Sequence, residues 1–460
     1  MLQVSLFMAL PNFFAKLNNK HFFSLAGNVI MSGLSIIIMG ILYRSLPNKA
    51  EMGNWVFFQY IFALVEMLRT GFLTMAFIKF YSGSEKSRAA EIIGSTWVLG
   101  TAITFGLLAL NIPVLFLIRL VKIDILEGLY FFLKWFGISY LLSLPTFIAN
   151  CVLQAEARFD RLLFMRMINQ LSFLVLILVL IFMHHLTLET LVYSYMISLL
   201  LTSIFVLLKG WTNLWSWKYR TTRAVKELYH FGKYSVLGNI SSSLLRTSDI
   251  WIITGMLGTE AVAKYNIGLK LMEVIEIPLR SSIATAMSTM SAAYNRGIKS
   301  EVIYTMKKYA GLLTFALVPV CIAAVLFAEL AVHLVSGKHY VGTEAANVLR
   351  LFMTFSLLFP TDRFIALGLD VIHKPNINFL KILIMLAVNV VTDIIGIKIF
   401  GNIYGVALAT LCPLLVGIWI GYWALRKYEN FSLMNIPAVG LKELKLLLRN
   451  KLNFQKTFFP

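Results

Sequence analysis

Charge is scarce in this sequence. Only 14% of its 460 residues are Asp, Glu, Lys or Arg, whereas soluble domains carry about 25%. Hydrophobic residues make up 59% of the chain and lie in long runs separated by short polar segments. A chain of this composition has too few charges to cover a water-soluble surface, so we predict an integral membrane protein.

Cysteine is also rare. Cys151, Cys321 and Cys412 stand far apart in apolar runs, without a CxxC pair or a neighbouring histidine cluster. This spacing excludes a disulfide framework and argues against a metal site. The chain lacks a GxxxxGK[ST] phosphate loop, so ATP hydrolysis is not expected. The apolar opening residues lack a basic n-region and a cleavage site, which favours an interfacial segment over a signal peptide.

The apolar runs have the length of membrane helices. A span needs about 20 mostly apolar residues, and about twelve stretches qualify. They are residues 22–43, 54–78, 92–117, 130–153, 164–183, 188–208, 230–255, 262–286, 309–328, 346–368, 377–398 and 404–424. The seventh and eighth are the most polar. The predicted fold class is therefore all-α and polytopic.

Basic residues report the orientation of these spans. The net charge is +19, but the cations are scattered between apolar segments, so nucleic-acid binding is not expected. The two termini and every second loop hold about 25 Lys and Arg residues, and the opposite loops hold about seven. By the positive-inside rule both termini are predicted to be cytoplasmic.

The longest internal loop divides the chain into two halves of six spans. The predicted regions are an N-terminal lobe of residues 1–208, this basic cytoplasmic loop at 209–229, a C-terminal lobe at 230–424 and a basic tail at 425–460. The Lys/Leu pattern of the tail is typical of an amphipathic helix on the anionic inner leaflet. A plain solvated tail is the alternative.

The two halves resemble each other weakly, which predicts a parallel internal repeat. The aligned residues are Trp55 with Tyr265, Glu66 with Glu276, and Arg69 with Arg280. Transporters often contain such repeats, with the substrate site near the midplane. Several prolines within or near the spans predict kinks: Pro145, Pro278, Pro319, Pro360 and Pro413.

Charged residues inside the spans are the candidate site. A central charge costs about 2.5–3.5 kcal/mol, so it normally faces a wet interior or an opposite charge. The basic candidates for substrate binding are Arg69, Arg246, Lys270, Arg280 and Arg363. The acidic candidates, which would couple an ion or orient the cations, are Glu66, Asp249, Glu273, Glu276 and Asp362.

Helical spacing predicts three pairs among these residues. They are Lys270 with Glu273, Glu276 with Arg280, and Arg246 with Asp249. A guanidinium suits phosphate because its planar fork can bind two oxygens, so arginines at positions 69, 246 and 280 are the best candidates for an anion. The alternative is that the pairs only hold helices together.

Several stretches resemble polysaccharide exporters of the multidrug/oligosaccharidyl-lipid/polysaccharide (MOP) superfamily. "LPNKAEMGNW", which begins at Leu46, is similar to the turn after the first span of that family. "DIWIITGMLGTEAVAKYNIGLKL", which begins at Asp249, resembles the start of its second half. A later Gly-x-x-x-Gly-x-Ala turn completes the resemblance, and its positions are filled by Gly401, Gly405, Ala407 and Ala409.

The resemblance implies a flippase of the O-antigen (Wzx-like) type in the bacterial inner membrane. Two six-helix lobes would form a V around a basic cavity, in the manner of the MATE-like fold. The cavity would take the sugar-pyrophosphate head of an undecaprenyl-linked oligosaccharide, the repeat unit of lipopolysaccharide, capsule or exopolysaccharide, by alternating access. No cofactor or metal is implied beyond a coupling H⁺ or Na⁺. The lipid bilayer, a polysaccharide polymerase and the chain-length machinery are the implied partners.

Two other functions stay open. A multidrug exporter of the same superfamily would need acidic residues in its early helices, but the first span, "FFSLAGNVIMSGLSIIIMGILY", contains none. A membrane glycosyltransferase or polymerase usually needs a sizeable extracytoplasmic loop with catalytic carboxylates or arginines, and the outer loops here are short. We therefore expect a transporter and no enzymatic turnover.

Overall fold

A computed structural model describes residues 20–46, 48–121 and 127–458, and this part of the chain is helical without a strand. Within these ranges, seven α-helices precede the middle of the chain. They are α1 (Lys20–Ser45), α2 (Lys49–Tyr81), α3 (Lys86–Val121), α4 (Glu127–Leu142), α5 (Leu144–Ala155), α6 (Phe159–Phe182) and α7 (Leu188–Leu208). A 3₁₀ turn at Leu214–Tyr219 follows.

Residues 222–458, as the structure describes them, contain ten α-helices. They are α8 (Thr222–Leu257), α9 (Thr259–Asn295), α10 (Lys299–Leu326), α11 (Ala328–Ser336), α12 (Ala345–Ser356), α13 (Phe359–Val371), α14 (Pro375–Phe400), α15 (Ile403–Ala409), α16 (Leu411–Arg426) and α17 (Asn435–Phe458). A second 3₁₀ turn, Lys338–Tyr340, lies between α11 and α12.

Each predicted span coincides with a helix or a pair of consecutive helices. Within the described residues, seven spans are long and apolar enough to cross a membrane, and nine result if each bent pair counts as one. The other three predicted spans correspond to α1, whose apolar described part is the short Val29–Ser45, and to the polar helices α8 and α9. The all-α polytopic class is confirmed, and the total of about twelve spans stays a prediction.

The helices pack into two compact units. The first contains residues 1–250 and 258–263, and the second contains residues 251–257 and 264–460. Most of α8 therefore packs with the helices that precede it, beyond the loop at 209–229. One buried cluster of the first unit includes Leu73, Phe77 and Ile148. A buried cluster of the second unit includes Met306, Phe364 and Leu425.

Two spans are broken at equivalent places in the two halves. The axes of α4 and α5 differ by 51°, and those of α12 and α13 differ by 47°. Pro145 and Pro360 occupy the second positions of α5 and α13. Proline lacks a backbone N–H and clashes with the preceding turn, so a straight helix through either position is disfavoured. These two predicted kinks are confirmed, whereas Pro278 and Pro319 lie inside continuous helices.

The repeat has further support in the packing. Trp55 and Tyr265, which the sequence alignment pairs, are both completely buried. In the broken fourth span of each half the same Pro-Thr dipeptide follows the break, at Pro145 and at Pro360. Equivalent burial and equivalent breaks are what a structural repeat produces, because each half places the same position in the same environment.

The C-terminal tail forms the helix α17, which packs antiparallel on α10. Gly311 and Gly440 form the closest contact, where a Cβ on Gly440 would lie 2.5 Å from the carbonyl carbon of Gly311. Glu443 then reaches Lys308, with 2.6 Å between its Oε2 and the lysine Nζ. The alternative of a plain solvated tail is therefore wrong, because one face of the helix is covered by protein.

Candidate functional site: charged groups of the membrane helices

A fully buried arginine lies at the break of the fourth span. Arg69 of α2 has no exposed surface. Its Nη2 lies 2.8 and 2.7 Å from the two carboxylate oxygens of Glu66 and donates to Ser143 Oγ at 2.6 Å. Its Nη1 donates to Thr104 Oγ1 at 3.1 Å and to the Tyr140 carbonyl at 3.3 Å. Both terminal nitrogens are thus occupied by partners of the same unit.

Two aromatic rings flank the same guanidinium. The Cζ of Arg69 lies 4.2 Å from the Tyr140 ring centroid and 4.7 Å from that of Phe147. Tyr140 belongs to α4, Phe147 belongs to α5, and Ser143 is the residue between the two helices. Arg69 therefore connects both sides of the 51° break to α2. This geometry suits a residue that fixes the bent span, and it leaves Arg69 closed to a ligand in this structure.

The second unit contains a comparable buried pair. Lys381 Nζ of α14 lies 2.8 Å from Asp362 Oδ1 of α13, and 2% of Lys381 and 8% of Asp362 are exposed. Asp362 is in the first turn of α13, directly after the 47° break. The acidic candidate Asp362 is therefore paired with a lysine on the next helix.

The sequence signal for this lysine was an isolated charge in the long apolar stretch of the eleventh span, and Lys381 was not among the candidate site residues.

Glycines of α16 leave room for the pair. A Cβ on Gly417 would lie 3.2 Å from Asp362 Oδ1 and 2.5 Å from Met385 Sδ. A Cβ on Gly421 would lie 2.2 Å from a side-chain carbon of Ile365. The small residues of α16 thus allow close packing around the ion pair.

Helix α9 carries the largest set of charged candidates. Lys270 Nζ lies 2.7 Å from Glu273 Oε1, and Arg280 forms an ion pair with Glu276 one turn further on. Both predicted pairs are confirmed. The Arg280 side chain is 59% exposed, so its guanidinium is accessible despite the pair. Glu276–Arg280 and Glu66–Arg69 occupy equivalent positions in the proposed repeat, but only the first-unit arginine is buried.

The rest of α9 divides into a buried face and a polar face. Buried residues recur at helical spacing and are Met272, Ile275, Leu279, Ala286, Met290 and Ala293. The last three belong to a core cluster of the second unit. The paired charges and, further along, the exposed hydroxyls of Thr285, Ser288 and Thr289 lie on the remaining part of the helix surface. We refer to this part of residues 270–289 as the α9 polar face.

The remaining candidates are less constrained. Arg246 on α8 is exposed and Asp249 is half-buried. Their i, i+3 spacing permits a contact along the helix, and the pair stays a prediction. Arg363 is exposed beside buried Asp362. Arg246 belongs to the first unit, and Arg280 and Arg363 belong to the second.

Comparison with known proteins identifies the family. Residues 41–344 match the family model described as "Polysaccharide biosynthesis protein". A curated relative, the uncharacterized membrane protein MJ1068 of Methanocaldococcus jannaschii, is 23% identical over 218 residues. That match covers 46% of this chain and 42% of the relative.

Two solved structures show the fold. An inward-facing multidrug resistance MATE family transporter of the MOP superfamily superimposes with a TM-score of 0.72 at 15% identity, over 90% of this chain and 98% of the other. The lipid II flippase MurJ in its inward closed conformation superimposes with a TM-score of 0.73 at 14% identity, over 94% and 92%. The protein is therefore a multi-pass membrane protein with the MOP fold, and it belongs to the polysaccharide biosynthesis protein family.

Proposed function

We propose that the protein is a transporter that flips an undecaprenyl-pyrophosphate-linked oligosaccharide across the bacterial inner membrane. The family match supports a role in polysaccharide biosynthesis, and the fold is shared with a protein named as a lipid II flippase. The observation that carries the proposal is the α9 polar face. A row of charges and hydroxyls on a membrane helix is costly in lipid and is retained where the helix meets water or a polar substrate.

The chemistry of this face suits a sugar-pyrophosphate. Arg280, which is exposed beyond its pair with Glu276, can bind two phosphate oxygens with its planar fork. Arg246 and Arg363 are exposed cations of the same kind. Thr285 and Ser288 supply hydroxyls that both donate and accept hydrogen bonds, as sugar hydroxyls require. We assign the substrate headgroup to Arg280, Thr285 and Ser288 of this face together with Lys270.

The acidic candidates divide into two groups in this proposal. Glu66 and Asp362 are held by Arg69 and Lys381 beside the broken spans, so their first role is to fix those bends. Asp249, Glu273 and Glu276 lie on the polar helices α8 and α9, where they orient cations or couple H⁺ or Na⁺ to transport.

The cellular setting follows from the proposed substrate. Both termini and the segment at 209–229 would be cytoplasmic, because the Lys/Arg excess lies on that side. The two halves would act as lobes that alternate between inward and outward access. A polysaccharide polymerase and the chain-length machinery would receive the flipped O-antigen, capsule or exopolysaccharide unit. The protein would leave the glycan chemically unchanged.

A multidrug exporter is the second candidate, since the MATE family transporter shares the fold. That function would place cationic drugs against carboxylates. Glu66 is engaged by Arg69, and two carboxylates of α9, Glu273 and Glu276, are each paired with a cation. Neutralised carboxylates favour the lipid-linked sugar over a cationic drug.

The proposal is tested with purified protein in liposomes that carry a fluorescent undecaprenyl-pyrophosphate oligosaccharide. We expect the fraction of labelled lipid that an external quencher or lectin can reach to fall only when the protein is present. The lipid should be recovered intact. Arg280→Ala should lower the rate of flipping strongly. Arg280→Lys should recover only part of that rate, because lysine keeps the charge but lacks the planar fork. Arg296→Ala, which removes an equally exposed arginine outside the polar face, is the matched control.

Two outcomes would overturn the assignment. Release of free glycan or pyrophosphate would show an enzyme. Efflux of a cationic dye from the same liposomes, without movement of the lipid-linked sugar, would show the multidrug exporter.

A further inference from the structure

The segment that connects α7 and α8, residues 209–221, is fastened to the side of α3. The indole N–H of Trp97 donates to the Thr212 carbonyl at 3.1 Å. Gly94 allows the two backbones to touch, because a Cβ at that position would lie 2.2 Å from the Ser216 carbonyl oxygen. The rings of Trp97 and Trp217 are 6.3 Å apart. The connecting segment is thus a fixed surface feature rather than a loose loop.

Polar contacts hold its C-terminal end in the same way. The Thr221 backbone N–H donates to Ser95 Oγ at 3.3 Å, and the Thr221 hydroxyl donates to Glu91. Arg88 forms ion pairs with Glu91 and, from α8, with Glu227. Since both ends of the segment are bound to α3, its outward side chains have a defined orientation.

The segment lies where two membrane helices end. The first two turns of α3 carry Lys86, Arg88 and Glu91, and its apolar run begins after them. At about 1.5 Å per residue, the contact residue Gly94 is roughly 12 Å from the start of the helix. Leu208 ends α7, and Lys209 follows. Charged helix ends beside apolar runs mark the level of the lipid headgroups.

The outward surface combines rings and cations. Trp215 is 87% exposed and Tyr219 is 53% exposed. Lys209, Lys218 and Arg220 are exposed as well, and residues 209–221 contain no acidic residue. Arg220 lies 5.8 Å from the Trp217 ring, and its Nη1 donates to the Trp217 carbonyl at 3.2 Å. Contacts with Trp217 therefore fix the position of Arg220 on the surface of the segment.

We propose that the connecting segment is an interfacial anchor that binds the phosphate headgroups of anionic phospholipids in the leaflet at that end of α3. Tryptophan and tyrosine prefer the headgroup level because an apolar ring carries a polar edge there. Lysine and arginine beside them attract anionic lipid. An acidic protein could pair with the cations, but the largely exposed indole of Trp215 at the level of the helix ends is better matched by the bilayer itself.

The test uses the full-length protein in bilayers that contain spin-labelled phosphatidylglycerol or spin-labelled phosphatidylcholine. Electron spin resonance reports the fraction of each lipid that the protein immobilises. We expect preferential retention of phosphatidylglycerol. Each lost cation should lower this preference about fivefold, the equivalent of about 1 kcal/mol for a Lys or Arg near an anionic surface. Lys218→Ala and Arg220→Ala, singly and together, should show that decrease.

The matched control is Lys338→Ala. Lys338 is also an exposed lysine in a 3₁₀ turn that contains a tyrosine, but it belongs to the second unit and not to the connecting segment. It should leave the preference unchanged. Trp215→Phe should retain the preference for phosphatidylglycerol, whereas Trp215→Ala should reduce the retention of both lipids.

An unchanged preference in the double variant, with normal elution of the purified protein, would overturn the proposal. So would an equal loss in Lys338→Ala. Weakening of the preference by high salt in the wild type, and its insensitivity to salt in the double variant, would support it independently.

Discussion

Lys381 Nζ and Asp362 Oδ1 lie 2.8 Å apart between two neighbouring membrane helices, and neither side chain is more than marginally exposed. In the first unit the corresponding pair joins buried Arg69 to half-buried Glu66. Each pair lies beside a broken span, so each half contains one bend that is held by a cation from another helix. Removal of Glu66, or of either partner of the Lys381–Asp362 pair, leaves a buried charge without compensation, which makes both pairs testable.

Lys381→Met should destabilise the protein, and so should Asp362→Asn. Breaking a buried pair by removing one partner costs about 3–5 kcal/mol because the other charge stays buried. Thermal unfolding of the detergent-solubilised protein measures the loss. Lys398→Met is the matched control, since Lys398 is an exposed lysine of the same helix. The double variant Asp362→Asn with Lys381→Met should recover much of the stability. A double variant as unstable as the sum of the singles would contradict the pairing.

Arg69→Lys should destabilise the break between α4 and α5 although it keeps the charge. Lysine lacks the fork that reaches Thr104, Ser143 and the Tyr140 carbonyl together, and each buried acceptor left without a donor costs about 1–3 kcal/mol. Distances between spin labels placed on the two sides of the break should show a broader distribution in this variant. Thermal unfolding, measured in parallel, should show a lower midpoint.

Arg158→Lys is the control for that comparison. Arg158 forms an exposed ion pair with Asp160, and exposed pairs contribute at most about 1 kcal/mol. Equal effects of the two substitutions would show that the contacts of Arg69 at the break contribute nothing specific.

Gly440→Ala should detach the tail helix α17 from α10. The added methyl would lie 2.5 Å from the Gly311 carbonyl carbon, and backbone cannot yield as a flexible side chain can. Faster hydrogen exchange of residues 435–446 is the expected result. Gly106→Ala is the control because a Cβ there meets nothing within 4 Å, and its helix should gain roughly 0.8–1 kcal/mol from the better helix former. Unaltered exchange in Gly440→Ala would contradict the packing.

Docking of α17 should also weaken in acid. The hydrogen bonds from Lys308 and Tyr304 hold the pKa of Glu443 below its usual value. A carboxyl whose pKa is depressed in the folded state stabilises that state above its unfolded pKa, of about 4.3 for Glu, and the stabilisation is lost as pH falls through the folded pKa. The protection of the α17 amides, taken as the intrinsic exchange rate divided by the observed rate, should therefore fall below about pH 4.3 in the wild type. In Glu443→Gln this protection should already be lower at neutral pH and should change little in acid. Identical pH profiles of the two proteins would show that Glu443 does not control the docking.

Features that depend on neighbouring residues of the chain could be predicted from the sequence. The apolar runs define the helices because their length matches a bilayer. Pro145 and Pro360 predict kinks at the two breaks because proline removes a hydrogen-bond donor, although the same signal at Pro278 and Pro319 falls inside continuous helices. The pairs of Lys270 with Glu273 and of Glu276 with Arg280 follow from the 3.6-residue period of one helix.

The tertiary structure decided which charges are buried and what they contact. Arg69 and Arg280 occupy equivalent positions in the sequence, yet one is enclosed by Tyr140 and Phe147 and the other is exposed. Lys381 meets Asp362 from a different helix, and glycines of α16 leave the room for that contact. Helical periodicity determines the direction in which a side chain leaves its own helix. The helix it then meets is determined by packing, because burial and ion-pair energies act between segments that the chain order does not bring together.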